Sequence, residues 1–288
     1  MNVLVLGING MIGSTMFRVI SEQTAWSVRG TVRGDNSMQG IAPALRSQVL
    51  TRVDLTAEDA LAKVIAVVRP DVVVNCAGLT KHRPEGNVPL SAIAMNALLP
   101  HRLAEICTTS GARLIHISTD CVFSGTRGNY TEKDTPDATD IYGRTKALGE
   151  ISGPERVTLR TSTIGHELNT KHGLLEWFLS QSKCSGYTRA IFSGLPSVVF
   201  ARIVRDIVIP DKRLCGLYHV GGSAIAKADL LALIAIAYET KTEIIPAPGF
   251  VLDRSLDSAL FMETTGYNPP AWPEMIRLMH DDYQRNYK

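Results

Sequence analysis

Two short stretches carry side chains that together could move a proton: Ile117-Ser118-Thr119-Asp120-Cys121-Val122-Phe123 and Tyr142-Gly143-Arg144-Thr145-Lys146. The first follows an apolar run over 113–117 and therefore ends a buried strand. In the second, Tyr142 and Lys146 are four residues apart, which on a helix stacks both side chains on one face, one turn apart. A hydroxyl at a strand end, a phenol and an ammonium make a proton-delivery unit. The Lys146 charge favours phenolate, so Tyr142 is expected to release its proton more easily than at its reference pKa of about 10. Thr119 can hold a carbonyl oxygen of a substrate beside that phenol. The unit lacks a hydride, and the N-terminus offers a place for a dinucleotide that would carry one.

There an apolar run over 2–6 leads into Gly7-Ile8-Asn9-Gly10-Met11-Ile12-Gly13, and a helical pattern follows with Ile12, Met16, Val19 and Ile20 on one side. Strand, glycine turn and helix is the context of a dinucleotide fingerprint. Gly7 permits the tight turn, Gly10 lets the backbone approach a pyrophosphate, and Gly13 lets helix and strand pack closely. The pyrophosphate would rest on the free N–H groups of the helix N-terminus. The spacing is G-x-x-G-x-x-G, so a plain glycine-rich turn is the competing interpretation. A second strand over 27–32 is followed by Arg33, about twenty residues after the last glycine, where an arginine meets the 2′-phosphate of NADP or an acid binds the ribose of NAD. Arg33 favours NADP(H) over NAD(H), with Asp35 as the competitor. A third strand over 48–53 ends at Asp54-Leu55-Thr56. Asp54 either bonds an adenine amino group or caps a loop, and Thr56 with Asp59 reads as a capping box for a helix to Val68 that Pro70 stops. A fourth strand over 71–75 runs into Cys76-Ala77-Gly78, small residues that leave room for a ribose and a nicotinamide.

The segment 80–89 is a loop, and 90–110 is a long helix carrying Asn96, which either faces solvent or binds water beside Lys146. Residues 124–140, rich in Gly, Thr, Asp, Asn and Pro, form a loop suited to a lid. A sixth strand over 157–160 follows the Tyr142 helix. The alternation implies an α/β fold: a Rossmann-like, doubly wound parallel sheet with ligands at the carboxyl ends of its strands. Beyond about 165 the pattern loosens into a polar loop with His166 and His172, helices over 174–181, 201–209, 227–238 and 272–287, and a strand over 217–220. This divides the chain into a dinucleotide-binding domain, 1–165, to which 217–220 returns, and a smaller interleaved α/β substrate domain, 166–288.

The 288 residues are 45% hydrophobic and 20% charged with a net charge of +2, which gives no reason to expect nucleic acid or a membrane surface as a partner. Five dispersed cysteines without a C-x-x-C pair read as reduced thiols, and no apolar run approaches a membrane span. A cytoplasmic protein with no metal site is expected, and a homodimer is the assembly entertained.

The chain resembles the extended short-chain dehydrogenase/reductases and, among them, the dTDP-4-dehydrorhamnose reductases of bacterial surface-sugar synthesis. Gly7-x-x-Gly10-x-x-Gly13, Asp54-Leu55, Asn75-Cys76-Ala77-Gly78, Ser118-Thr119-Asp120-x-Val122-Phe123-x-Gly125 and Tyr142-Gly143-x-Thr145-Lys146-x-x-Gly149-Glu150 carry the resemblance, with Arg160-Thr161-Ser162 and 217–220 extending it. It implies Tyr142 as the acid, Lys146 as its electrostatic partner and a ribose ligand, Thr119 as the hydroxyl orienting a ketone, and Asn96 as the helix asparagine. It places Gly7, Gly10, Met11, Ile12, Gly13, Arg33, Asp54, Leu55, Cys76, Ala77 and Gly78 around the cofactor, and Asp120, Cys121 and Arg254 against the substrate. Two departures are plain: Cys121 stands where the reductases usually have Tyr, and Leu252-Asp253-Arg254-Ser255-Leu256 replaces their Arg-Pro stretch. Arg254 either binds a diphosphate or forms a surface salt bridge. The implied activity is NADPH-dependent reduction of a nucleotide-linked 4-keto-6-deoxysugar. An epimerase of the same superfamily needs the same residues; a dehydratase is disfavoured because Thr119-Asp120-Cys121 lacks the Glu of its usual Thr-Asp-Glu. A non-catalytic regulatory subunit like that of methionine adenosyltransferase is the alternative outside enzymology.

Overall fold

A computed structural model describes residues 1–38, 40–81, 83–168 and 171–287. Positions 82, 169 and 170 of the two expected loops lie outside the described residues. In chain order the first half runs β1 (Asn2–Leu6), α1 (Met11–Ser21), β2 (Ser27–Thr31), β3 (Val49–Leu50), α2 (Glu58–Val68), β4 (Val72–Asn75), α3 (Pro89–Ala92), α4 (Leu99–Ser110), β5 (Arg113–Thr119), α5 (Ile141–Leu148) and β6 (Arg156–Thr161). The second half runs β7 (Thr163–Ile164), α6 (Leu174–Leu179), β8 (Lys183–Phe192), β9 (Leu195–Pro196), α7 (Ser197–Ile203), β10 (Gly216–His219), β11 (Ile225–Ala226), α8 (Lys227–Ala237), β12 (Glu243–Asp253), α9 (Ala259–Thr265) and α10 (Trp272–Asn286).

The expected doubly wound sheet is present: seven parallel strands in the order β10-β6-β5-β4-β1-β2-β3. The chain starts at β1, winds outward to β3, then crosses to β4 and winds the other way. The order thus reverses between β1 and β4, which opens a crevice at the carboxyl ends of those strands. Period-two alternation explains why β1 is apolar throughout. Val3 and Val5 enter the core beneath α1, α7 and α10, while Leu4 and Leu6 enter the core beneath α2 and α4.

The second half returns β10 to the edge of this sheet in register with β6 and builds a smaller sheet of its own, β11-β8-β12. In it β8 is parallel to β12 and antiparallel to β11. Neither β8 nor β12 is legible in the sequence. β8 alternates weakly and carries Lys, Gly and Arg; β12 contains Pro246, Pro248 and Gly249, residues that argue against a strand. The structure accommodates them because β12 lies at a sheet edge and its register shifts between Ala247 and Val251.

Several local expectations are corrected. Thr56 does not cap α2: its backbone N–H and its hydroxyl both donate to Oδ1 of Asp54, 2.9 and 2.7 Å, and Ala57 holds the cap position without a side-chain bond. The third strand shrinks to two residues because Arg52 turns into a left-handed conformation, φ 59°. The helix expected over 90–110 is interrupted by a π turn, Ile93–Leu98. The helix expected over 201–209 starts earlier, at Ser197, and also passes into a π turn, Val204–Val208. Among the described residues no helix is long and apolar enough to cross a membrane, and no group of His, Cys, Asp and Glu is arranged to hold a metal.

Candidate active site

The glycine turn between β1 and α1 has the stereochemistry a pyrophosphate site requires. Gly7 takes φ +77°, and a Cβ there would lie 2.8 Å from Cα of Ala77. A Cβ on Gly13 would lie 2.2 Å from the carbonyl oxygen of Gly7, so only glycine lets α1 start this close to β1. Gly10 is different: its nearest neighbour would be 3.9 Å away, and its backbone faces open space at the N-terminus of α1. The turn borders a cleft of about 840 Å³. Gly7, Gly10, Met11, Ile12, Gly13, Arg33, Asp54, Leu55, Cys76, Ala77 and Gly78 all line it, as do Asp120, Cys121 and Arg254. The exposed Arg33 looks into this cleft, whereas Asp35 is taken by Arg52, with a 2.6 Å ion pair. Asp54 is held by Thr56, which pulls its carboxyl below the ordinary range, and the Arg33 charge adds to this. Of the two roles expected of Asp54 the loop cap is present, and the residue also lines the cleft.

Thr119, Tyr142, Lys146 and Asn96 are not among the described residues that line the cleft; Thr119 bonds to Asp120 and Cys121, which are. Strand β5 ends at Thr119, whose Oγ1 donates to Oδ1 of Asp120 (3.1 Å) and accepts from the N–H of Cys121 (3.1 Å). Helix α5 begins at Asp140, whose carboxylate accepts from the N–H of Gly143 at 2.8 Å. A Cβ on Gly143 would lie 2.2 Å from the carbonyl oxygen of Cys121, and this close approach brings Tyr142 against the 119–121 turn. One turn later Nζ of the buried Lys146 donates to the carbonyl of Ile117, 2.7 Å. The C-terminal end of α5 is tied down by Glu150. It accepts from Oγ of Ser118 at 2.7 Å and from both Nε and Nη2 of Arg160 at 2.8 and 2.7 Å.

The electrostatics differ from the expectation that Lys146 lowers the phenol. Burial pushes the Tyr142 phenol above its ordinary pKa, and the Cys121 thiol and Asp120 carboxyl add to this; a hydrogen bond with Thr119 opposes them. Lys146 is itself lowered to about 8 by burial, although Glu150 and Cys76 work against that. Burial and these acidic neighbours together raise the phenol, and Tyr142 keeps its proton at neutral pH. The Cys121 thiol is pushed up to about 12 by burial and by Asp120, which leaves it protonated and a poor nucleophile.

Asn96 does not face solvent. It is buried on the π turn, where its amide oxygen accepts from the Leu79 N–H at 2.8 Å and its nitrogen donates to the Leu79 carbonyl at 2.9 Å and to Oγ1 of Thr145 at 3.3 Å. It thus fastens the 76–79 segment to α5. Arg254 is drawn inward, with Nε donating to the Phe123 carbonyl at 2.8 Å and Nη1 approaching Sγ of Cys121 at 3.6 Å. Sequence reasoning missed Lys81, Trp177, Lys227 and Phe250, which also line the cleft. None lies in a recognisable motif; Lys227 is marked only by heading a strongly apolar helix.

The family model described as "RmlD substrate binding domain" matches residues 1–284. The chain is 30% identical over 241 residues to the probable low-salt glycan biosynthesis reductase Agl14 of Haloferax volcanii, covering 80% of this chain and 77% of that protein. It is 34% identical over 173 residues to the dTDP-4-dehydrorhamnose reductase of Mycolicibacterium smegmatis, covering 56% of this chain and 45% of that one. The match thus spans less than half the length of that second relative. The fold is similar to the crystal structure of dTDP-4-dehydrorhamnose reductase from Bacillus anthracis in complex with NADP, with a TM-score of 0.77, 20% identity and 97% and 98% of the two chains covered.

Proposed function

The chain belongs to the RmlD substrate binding domain family, of the extended short-chain dehydrogenase/reductase type, and we propose that it reduces a nucleotide-linked 4-keto-6-deoxysugar with NADPH. The substrate would be dTDP-4-dehydrorhamnose or a UDP-linked N-acetylated analogue, and the setting bacterial surface polysaccharide synthesis. The observation that carries this reading is the Tyr142 phenol, raised by burial and held with Thr119 next to Asp120 and Cys121, which line a cleft that begins at the glycine turn. The turn, the small residues Cys76, Ala77 and Gly78, and Arg33 fit a phosphorylated dinucleotide. When bound, its nicotinamide supplies the hydride.

The protein's own part is to orient and to donate a proton. Tyr142 offers its hydroxyl to the ketone oxygen and gives its proton as charge develops there, and Thr119 joins it once its hydroxyl turns away from Asp120. Lys146, one turn along α5 and held on the Ile117 carbonyl, would supply the cation that steadies the phenolate that remains. Cys121 and Asp120 border the sugar, and the thiol takes no covalent role. The half formed by 1–165 and 217–220 serves the dinucleotide, and 166–288 the nucleotide sugar. Relatives with a dTDP-4-dehydrorhamnose reductase name support the sugar class; the departures at Cys121 and around Arg254 favour a substrate that differs from theirs in base or substituent.

The test is NADPH deuterated at the transferred C4 position, supplied with enzymatically made dTDP- and UDP-linked 4-keto-6-deoxysugars. One NADPH oxidised and one deuterium at sugar C4 per product is the expected result. A changed sugar without net loss of NADPH makes the protein an epimerase. No change in any sugar, with cofactor still bound, makes it a binding protein.

A further inference from the structure

His166 is a buried, hydrogen-bonded histidine that the chemistry at Tyr142 does not use. It follows β7, and Glu167, Leu168, His172, Gly173 and Leu174 beyond it line the same cleft as the glycine turn. We propose that His166 is a positioning residue for the dinucleotide: pinned by Glu176 and Tyr238, it holds this segment as the cleft wall beside the cofactor and so sets how tightly the cofactor binds. This rests on the reading that the cleft takes a dinucleotide.

Three helices meet at this ring. Nδ1 lies 2.6 Å from Oε1 of Glu176 on α6, and Nε2 lies 2.8 Å from the hydroxyl of Tyr238 at the end of α8. A carboxylate only accepts, so Nδ1 carries the proton, and in the neutral ring Nε2 accepts from Tyr238. Burial and the nearby Glu176 hold the Tyr238 phenol above its ordinary range, so it stays a donor. From α10, Tyr283 stacks on the imidazole with ring centroids 4.2 Å apart. The ring cannot turn without leaving a buried nitrogen unpaired, so the backbone that carries it is held as well. What is held lies against the dinucleotide half. A Cβ on Gly165 would stand 3.6 Å from Sδ of Met11, at the start of α1 where a pyrophosphate would rest. Leu168 reaches further: its Cβ is 3.1 Å from where a Cβ on Gly40 would stand, in the loop between β2 and β3. Glu167 accepts from the N–H groups of His172 and Gly173, 2.7 and 2.9 Å, and so ties the two ends of the segment together. His166, Glu176 and Tyr238 are not themselves among the described residues that line the cleft. The wall is thus set by side chains outside the cleft. A wall already in place need not be ordered when the cofactor arrives, whereas a loosened one must be.

The experiment measures NADPH and NADH binding by fluorescence titration, and their release by stopped-flow displacement. The proteins are the wild type, Tyr238→Phe, Glu176→Ala and Glu176→Gln, each confirmed folded by circular dichroism at the working temperature. Tyr238→Phe keeps the ring and removes a hydroxyl outside the cleft; Glu176→Gln keeps an oxygen that accepts from Nδ1. Tyr238→Phe and Glu176→Ala are expected to weaken both cofactors by the same factor, about three- to tenfold, chiefly through faster release. Glu176→Gln should restore affinity to within about twofold of the wild type. An equal loss for both cofactors sets the pin apart from Arg33, which acts through the 2′-phosphate alone. If Glu176→Ala does not fold, the single missing hydroxyl of Tyr238→Phe decides. Unchanged affinity in Tyr238→Phe, a loss confined to NADPH, or a Glu176→Gln variant as weak as Glu176→Ala overturns the pin. The two readings fail separately. A wild type that binds neither dinucleotide overturns the cofactor reading and the pin with it. One that binds them as tightly with the variants as without keeps the cofactor and loses the pin, and neither result depends on turnover of a ketosugar.

Discussion

Burial raises the Tyr142 phenol, and the same burial governs its neighbours. Tyr142→Phe keeps the ring and removes the proton. Turnover is expected to fall about 10²–10⁴-fold while NADPH binding, read by fluorescence, is retained; an unimpaired Phe variant removes Tyr142 from the mechanism. Arg33 is the exposed cation at the edge of the cleft, and Asp35 is engaged by Arg52. Arg33→Ala should therefore lower affinity for NADPH about 10- to 100-fold and leave NADH almost unchanged. Equal use of both cofactors by the wild type would end that assignment. Lys146 makes a pH prediction. Its folded pKa, about 8, lies below that of a solvated lysine. The folded state therefore binds fewer protons than the unfolded state from about pH 8 up to the ordinary lysine pKa near 10.4, and its stability must rise with pH through that window. Melting curves of wild type and Lys146→Met should show the wild type gaining about 1–3 kcal/mol relative to the variant between pH 7 and 10. A pH-independent difference contradicts the buried, weakened ammonium.

Among the elements, α5 is positioned by a glycine contact and a carboxylate more than by its own apolar face. It is short, and its buried positions are Gly143, Thr145 and Lys146. Gly143 lets the helix touch the Cys121 carbonyl, Asp140 caps its start, and Glu150 locks its end to Ser118 of β5 and Arg160 of β6. A methyl at 143 would collide with the Cys121 carbonyl oxygen and, at 2.4 Å, with Cβ of Ala138. Gly143→Ala is expected to cost about 1–3 kcal/mol of stability and to lower kcat more than it raises the KM for NADPH, because Tyr142 is pushed from Thr119. Wild-type kcat in this variant would show that the close approach is dispensable.

At the scale of the whole molecule, the two halves are joined through the 124–140 loop. Tyr130 stacks on Phe123 with ring centroids 4.1 Å apart, and its hydroxyl accepts from the N–H groups of Gly125 and Arg127 at 3.2 and 3.3 Å. Its backbone pairs with the second half: its N–H donates to Ser255 and its carbonyl accepts from Asp257, 2.8 and 2.7 Å. His219, on the returning strand β10, completes the cluster through a 3.0 Å bond between Nδ1 and the Tyr130 carbonyl. Tyr130→Ala should cost about 3–5 kcal/mol and, because Arg254 directly precedes Ser255 of this junction, raise the KM for nucleotide sugar. Tyr130→Phe should cost only about 1 kcal/mol. If denaturant melts find the Ala variant as stable as wild type, the junction does not hold the halves together.

What the sequence determined by itself was local. The glycine turn needs residues within seven positions, the Tyr142–Lys146 pair needs one helical turn, and β1, β4 and β5 read as buried strands because their apolar runs are short and continuous. That the sheet is parallel and doubly wound followed from their alternation with helices, while its strand order came from the fold. The tertiary structure alone decided where forces act between distant residues. Desolvation raised the Tyr142 phenol and weakened Lys146, which no spacing reveals. Asn96 became a brace for Leu79 because a π turn rotated it inward. β8 and β12 formed from polar, proline-bearing segments because each gives the other its ladder partner. Lys227, Lys81 and Arg254 reach one cleft from three separate segments, which no run of the sequence reveals.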